Sequence, residues 1–303
     1  MRAFVPGIYP RSEALVQATR DLDRGRTTAE EVQQQVARDF EGLVHVQEEA
    51  GLDFLADGML TWQDLFRPLV EATAGLSARP LVRFLDTNTF YRAVLVDSQP
   101  KLQRPLPAPE LPAGRWLATL PSPYSFSRAA EREVSAETLA ANVLAPQIEA
   151  YAEAGCALVV LAEPFLTREA SGLPALLAAL AELPRPVPLA LLLPFGDAAP
   201  LLRELSEAAG LAGIGVDFYA TAADAVPEGL ETTLLAGVVD ARSSKPEDPS
   251  ELAEFADSLA ARVAGEVVLV PNGDLQFVSE PVAREKVLAL GRARTATAKE
   301  AVA

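Results

Sequence analysis

Short apolar runs typical of β-strands alternate with longer amphipathic stretches typical of α-helices along almost the whole chain. Eight strand segments are predicted, each followed by a helix or a loop. They lie at residues 4–7, 53–57, 116–119, 157–161, 187–193, 213–218, 233–240 and 267–270. Repeated alternation of this kind builds parallel sheets, which are either closed into a barrel or doubly wound.

The helices are predicted between these strands, at residues 27–50, 135–154, 173–183, 198–209, 249–263 and 280–293. Thr28 and Glu31 have the spacing of a capping box at the start of the first, and Gly51 is expected to end it. Residues 81–96 are predicted to form an extended segment near the mouth of a barrel. Residues 99–114 hold five prolines and read as a loop across its bottom or side rather than a domain linker.

Polar residues stand at the predicted ends of several strands, which favours a closed (β/α)₈ (TIM) barrel with its site at the C-terminal mouth. They are Asp57, Glu163, Asp217, Asp240, Asn272 and Asp274. Carboxylates grouped there could perform acid–base chemistry. The alternative is that they form caps, turns and salt bridges with Arg83, Arg92, Arg168 or Arg242. We expect one barrel domain over residues 1–292 and a flexible tail over residues 293–303.

Composition excludes several classes of function. A net charge of −16 over 303 residues argues against a nucleic-acid partner, because phosphate binding needs a basic surface. The single cysteine, Cys156, allows no intrachain disulfide and fits a reducing compartment. No signal-peptide core and no apolar stretch long enough to cross a membrane is present, so we predict a cytoplasmic protein without a membrane partner.

Several segments, in order along nearly the whole chain, resemble the cobalamin-independent methionine synthase superfamily, particularly its short archaeal-type members. The segments are Gly7-Ile8-Tyr9-Pro10-Arg11, residues 47–53 with Asp57-Gly58, Trp62-Gln63-Asp64, residues 83–92, residues 121–126, Gly155-Cys156 to Glu163-Pro164, Gly237-Val238-Val239-Asp240 and Pro271-Asn272-Gly273-Asp274-Leu275. The resemblance implies a (β/α)₈ barrel, in agreement with the independent strand count.

The resemblance also implies methyl transfer to the thiol of homocysteine from a folate or another carrier, which can be a separate methyl-donor protein. In this family a zinc ion binds the thiol as the nucleophilic thiolate and is held by a His-x-Cys pair, a Glu and a late Cys. The corresponding positions here are Leu192, Pro194, Asp217 and Gly273. Because three of these four side chains cannot bind zinc, we predict that the protein has no zinc cofactor.

Two further positions depart from the family pattern. The Asp of its Asp-Glu-Pro triplet is Ala162, and its histidine acid is Arg242. By the resemblance and the strand ends together, the predicted catalytic residues are Glu163, Asp240 and Arg242. The predicted substrate-binding residues are Asp57, Trp62, Asp64, Asn88, Tyr91, Arg92, Tyr124, Asp217, Asn272 and Asp274. Trp62 and Tyr124 could stack on a pterin-like ring or pack in the core.

Three functions remain open for a small-molecule ligand at the mouth. The first is a methyltransferase that works without the usual zinc. The second is a non-catalytic relative, a pseudoenzyme that binds a ligand or a partner. The third is zinc-free chemistry on another carboxylated substrate, as in the uroporphyrinogen decarboxylase family, which is similar at the level of the fold.

Overall fold

The computed structural model of the protein describes residues 1–208 and 210–300. Its strands are β1 (Arg2–Ala3), β2 (Thr73–Arg83), β3 (Phe90–Leu102), β4 (Trp116–Pro121), β5 (Cys156–Ala162), β6 (Leu189–Leu193), β7 (Gly213–Asp217), β8 (Thr233–Val239) and β9 (Val267–Pro271). Seven of them form a parallel sheet in the order β1-β9-β8-β7-β6-β5-β4, and β2 and β3 form an antiparallel hairpin. The α/β class and the parallel sheet predicted from the sequence are confirmed.

The helices are α1 (Glu13–Asp23), α2 (Ala29–Glu49), α3 (Arg67–Ala72), α4 (Pro123–Arg128), α5 (Ala136–Leu139), α6 (Ala145–Glu153), α7 (Leu173–Ala181), α8 (Ala199–Glu207), α9 (Pro249–Ala260) and α10 (Glu280–Glu300). The capping box of Thr28 and Glu31 begins α2 as predicted. A π-helical turn at Ala140–Leu144 joins α5 to α6, next to Pro146, which cannot donate to the carbonyl one turn earlier. The predicted end of α8 at Ala209 lies outside the described residues.

Residues 53–57 differ from their prediction as a regular strand. The backbone of Leu55 donates to Arg115 (2.8 Å) and accepts from Leu117 (2.9 Å), while the amide of Asp53 donates to Ala3 (2.9 Å). Only the isolated bridge between Leu55 and Trp116 is formed. The parallel sheet is thus curled, and the segment of residues 53–55 forms hydrogen bonds at both edges of the sheet, with β1 and with β4.

Apolar side chains form two clusters, one on each face of the curled sheet. The inner cluster takes alternate residues of the strands, as the two-residue repeat of extended backbone requires. Its members are Phe4, Ala56, Leu117, Leu158, Val160, Ala190, Leu192, Leu235, Val268 and Val270, with Phe54 packed against them. The larger outer cluster fills the space between the sheet and the helices.

The hairpin of β2 and β3 covers the carboxyl ends of the strands. The segment predicted to be extended, residues 81–96, forms its distal half, and the hairpin reaches back to Thr73 and on to Leu102. Phe84 at its tip packs edge-on against Phe165 at 6.3 Å between centroids, and Asp86 pairs with Arg168 at 3.0 Å. The tip, residues 84–89, is therefore fixed to the loop that follows β5.

Helix α10 continues past the domain boundary expected at residue 292. Ala293 is fully buried, and the guanidinium of Arg294 forms two hydrogen bonds of 2.9 Å with the carboxylate of Asp53. These contacts hold the start of the predicted flexible tail on the sheet. Of that tail, residues 301–303 lie outside the described residues. No helix in the described part of the chain is long and apolar enough to cross a membrane.

Candidate functional site

Asp217 and Asn272, two predicted site residues, contact each other at the carboxyl ends of β7 and β9. Asp217 Oδ1 accepts hydrogen bonds from Asn272 Nδ2 (3.0 Å) and from the Tyr219 amide (2.9 Å). Among the described residues, the buried Oδ2 of Asp217 has no hydrogen-bond partner. Burial raises the pKa of Asp217, although the hydrogen bonds from Asn272 and Tyr219 and the charge of Arg242 favour its ionised form. The carboxylate is thus only partly compensated.

Gly237 of β8, the strand between β7 and β9, makes this contact possible. Its backbone pairs with Asp217 on one side and with Val270 on the other. A Cβ at Gly237 would lie 2.9 Å from Cα of Asn272 and 2.5 Å from the carbonyl oxygen of Val216. Any side chain here would push Asn272 away from Asp217.

Asp240 and Arg242 follow β8 and lie beside this pair. Asp240 Oδ1 accepts from the Arg242 amide (3.0 Å), and the Asp240 amide donates to Glu247 Oε1 (3.0 Å). The guanidinium of Arg242 stacks over the ring of Phe195, 4.7 Å from its centroid. A cation–π contact therefore covers Phe195 from the solvent side.

The residues at the positions of the family's zinc ligands do not fit a zinc ion. Leu192 packs in the inner apolar cluster, and the side chain of Pro194 has no donor atom. A Cβ on Gly273 would lie 2.3 Å from Cζ of Phe195, so the ring occupies the space that a cysteine side chain needs. Asp217 alone keeps a coordinating group. Across residues 1–208 and 210–296, no group of three or more His, Cys, Asp or Glu side chains could hold a metal ion.

Glu163, predicted to be catalytic, is fully buried behind β5. Oε1 accepts from Ser125 Oγ (2.7 Å) and from the amides of Phe165 (3.0 Å) and Leu166 (2.9 Å). Oε2 accepts from Ser122 Oγ and from the Ser125 amide (3.2 Å). Burial raises the pKa of Glu163, and the hydrogen bonds from the Ser122 and Ser125 hydroxyls and the Phe165 and Leu166 amides act in the opposite direction. The carboxylate joins the start of α4 to the loop after β5.

Asp57 and Trp62 lie away from the other strand-end residues. Ala56 belongs to the inner cluster, and Asp57, one residue later, faces the opposite side of the extended segment. Both Asp57 and Trp62 line a cavity of about 640 Å³ between α2, α3 and the proline-rich residues 104–110. Burial raises the pKa of Asp57, against a hydrogen bond from the Met59 amide. The expectation that Asp57 shares one cavity with the other carboxylates is therefore wrong.

Asp64 and Arg92 connect α3 to the hairpin. Asp64 Oδ1 accepts from the amides of Phe66 and Arg67 (2.8 Å each), and its Oδ2 accepts from the Arg92 amide (3.0 Å). The guanidinium of Arg92 donates to the carbonyl of Arg79 (3.2 Å). Both side chains thus bind backbone groups of α3 and of the hairpin.

Tyr124 is packed rather than open to a stacking ligand. Its hydroxyl donates to Glu169 Oε2 (3.1 Å), and Gly172 lies so close that a Cβ there would be 2.1 Å from Cζ of the ring. Burial, with help from Glu169, raises the pKa of Tyr124 to about 12. Of the two interpretations of Tyr124, core packing agrees with this geometry.

A cavity of about 280 Å³, here called the mouth cavity, lies between the hairpin tip and the segments that follow β1 and β9. Four predicted ligand-binding residues line it: Asp64, Asn88, Tyr91 and Asp274. Sequence reasoning missed Arg11, Gln63 and Gln276, which line it too. The sequence signal that could have indicated Arg11 was Gly7, which belongs to the same motif. Its φ of 83° turns the chain after β1, and it is so close to Asp274 that a Cβ there would be 2.0 Å from Oδ1.

Asp274 is the titratable group of the mouth cavity with the largest change in pKa. Oδ1 accepts from the Ile8 amide (3.2 Å) and Oδ2 from Gln276 Nε2 (3.0 Å). Burial raises the pKa of Asp274 to about 6, with these two hydrogen bonds opposing the change. Near neutral pH its carboxyl therefore exchanges between the neutral and the ionised form.

Comparison with solved structures relates this geometry to known proteins. A B12-independent methionine synthase from Shewanella sp. W3-18-1, solved in complex with selenomethionine, is 17% identical, covers 91% of this chain and 92% of its own, and gives a TM-score of 0.73. A candidate vitamin-B12-independent methionine synthase from Listeria monocytogenes is 15% identical over 98% of this chain and 97% of its own, with a TM-score of 0.70. The fold is that of cobalamin-independent methionine synthases.

The resemblance seen in the sequence is thus confirmed in the fold. A methyltransferase from Methanosarcina mazei is more distantly similar to this chain, at 14% identity and a TM-score of 0.52, over 87% of this chain and 86% of its own. No protein-family model and no curated protein matches the sequence. At these identities the comparison concerns architecture, and the chemistry must be argued from the side chains.

Proposed function

We propose that this protein is a zinc-independent relative of the methionine synthases, which binds a small molecule in the mouth cavity and does not activate a thiol by metal coordination. The observation that carries the proposal is the ring of Phe195, which fills the space beside Gly273. Zinc lowers a thiol pKa only when several soft or imidazole ligands hold the metal. Here the ring of Phe195 and the guanidinium of Arg242 take the place of such ligands.

We further propose that residues 53–56 act as the eighth strand of a closed (β/α)₈ barrel. The hydrogen bonds of Asp53 to β1 and of Leu55 to β4 support this closure. The packing of Phe54 and Ala56 in the inner cluster supports it as well. A closed barrel would place the carboxyl ends of all eight strands around one mouth.

Within this proposal the predicted catalytic residues have different roles. Asp240 and Arg242 are partly or fully exposed beside the mouth and could act on a ligand directly. The five hydrogen bonds of Glu163 leave its carboxylate no free site for a substrate. We therefore propose Glu163 as a positioning residue.

Methyl transfer to a homocysteine-like thiol is the second candidate function. The fold similarity to two methionine synthases and a methyltransferase favours it. The two functions are separated by incubating the purified protein with homocysteine and a methylated folate, with and without added zinc. Our proposal predicts no methionine in either case, and zinc-dependent formation of methionine would establish the second function instead.

A further inference from the structure

Arg11 is the one cation among the described residues that line the mouth cavity. It is partly buried, and across residues 1–208 and 210–296 its guanidinium has neither a hydrogen bond nor an ion pair. Burial lowers the pKa of Arg11, and Asp39, the carboxylate whose charge opposes this change, already accepts hydrogen bonds from Ser12 N, Ser12 Oγ and Gln35 Nε2, at 2.8 Å each. A partly buried guanidinium without a partner is costly, since arginine does not give up its proton.

Neutral hydrogen-bond donors surround the same space. Asn88 uses its amide oxygen to accept from Arg83 Nη2 (3.1 Å), which leaves its NH₂ group free to donate. Gln63, from the loop before α3, adds a second side-chain amide. The charge of Asp64 is compensated by three backbone amides. The cavity thus combines a cation with donors.

We infer that the mouth cavity binds a small monocarboxylate, with Arg11 holding the carboxylate and Asp274 accepting a hydrogen bond from a donor group elsewhere on the ligand. The planar guanidinium matches a carboxylate in a two-pronged geometry. A phosphate dianion is disfavoured because a single arginine would face it together with two aspartates. This inference rests on the proposed function, whose ligand it assigns to a chemical class.

Fluorine NMR of trifluoroacetate added to the purified full-length chain at about pH 8 tests the inference, with trifluoroethanol as the neutral control probe. We expect Arg11→Gln to weaken trifluoroacetate binding about tenfold or more, because it removes a charge-assisted hydrogen bond. Arg20→Gln, which removes an equal charge from the exposed face of α1, should leave binding unchanged. Equal binding by Arg11→Gln and wild type would overturn the inference.

A second variant keeps the test decisive if Arg11→Gln does not fold. Asp274→Asn removes a negative charge from the cavity and should tighten trifluoroacetate binding several-fold, by about the energy of one screened charge pair. Unchanged or weaker binding would contradict the inference, as would tighter binding of inorganic phosphate than of trifluoroacetate. The zinc and methionine assays do not depend on Arg11, so failure of the carboxylate site and failure of the proposed function can be told apart.

Discussion

Asp217 and Asn272 share a hydrogen bond of 3.0 Å across the glycine of the strand that separates them. Asn272 in turn accepts from the amide of Ala241 (2.9 Å), which fixes the loop carrying Arg242. The end of β7 and the Phe195–Arg242 stack are thereby joined through one amide side chain. The partly compensated carboxylate of Asp217 is the charged centre of this arrangement.

Replacing Asp217 by Asn should stabilise the protein increasingly as the pH rises. Because burial raises the pKa of Asp217, its contribution to stability is present below the pKa of the unfolded chain and is lost as the pH rises through the folded-state value. Asn keeps an oxygen for Asn272 and Tyr219 but cannot ionise. Urea unfolding of both proteins between about pH 4 and pH 8 measures the difference.

The matched control is Asp217→Ala, which removes the acceptor of both hydrogen bonds. Relative to Asp217→Asn, we expect it to cost about 1–3 kcal/mol at every pH, because neither side chain ionises. A stability difference between Asp217→Asn and wild type that stays constant with pH would contradict the assigned direction of the pKa change.

Asp274→Asn should act in the same direction at the mouth cavity. A rise in pKa to about 6 from the ordinary value near 4 corresponds to at most about 3 kcal/mol of stability lost as the pH rises from 4 to 8. The variant lacks this loss because Asn cannot ionise, and the amide of Gln276 can rotate to keep its contact. Thermal unfolding at several pH values should show wild type and variant diverging mainly between about pH 4 and pH 7; parallel curves would contradict it.

Gly273→Ala should destabilise the protein by about 1–3 kcal/mol, the usual cost of overpacking a core. The added Cβ would lie within 2.9 Å of three atoms of the Phe195 ring, which packs against Phe277 at 5.2 Å between centroids. Chemical denaturation gives the change in unfolding free energy. Gly42→Ala is the control: it lies in α2 with nothing within 4 Å and should be neutral or stabilising.

A double-mutant cycle with Phe195→Ala assigns the strain to the ring. Phe195→Ala should cost several kcal/mol alone, but it should make Gly273→Ala nearly free of cost. Additive effects would show that Phe195 does not occupy the position of the late cysteine.

Lys286→Met should destabilise the protein by about 3–5 kcal/mol, because it leaves a buried carboxylate without its cation. Lys286 Nζ lies 2.6 Å from Glu247 Oε1, and their side chains are 0% and 7% exposed. The exposed pair of Arg79 and Glu131 provides the control, since Arg79→Met should cost less than about 1 kcal/mol. Denaturant unfolding compares the two variants. Equal costs would contradict the burial of the Lys286 pair.

Prediction from sequence worked where one physical signal dominates. The central strands are short, fully buried apolar runs, so β9 was placed to within one residue of its bounds. The pairing of Asp217 with Asn272 at the mouth follows from their positions at the ends of parallel strands. The hairpin was only half recognised, because Thr73 to Ala78 carries small and apolar residues without a clear alternation of burial.

The errors at the site arise because the sequence does not contain the information that tertiary contacts supply. Asp57 was misplaced because the face of an extended segment depends on which neighbour its alternate residues contact. Arg11 was missed because nothing in its local sequence shows that the hairpin tip will enclose it. The ring of Phe195 could not be foreseen beside Gly273, since the two are 78 positions apart in the sequence and meet only through the order of strands.

The zinc content of the purified protein tests the central claim most directly. Mass spectrometric metal analysis after dialysis in a zinc-containing buffer, followed by removal of free metal, should find far less than one zinc ion per chain. About one zinc ion per chain, lost on Asp217→Ala, would contradict the account and restore zinc-dependent methylation of a thiol as the function.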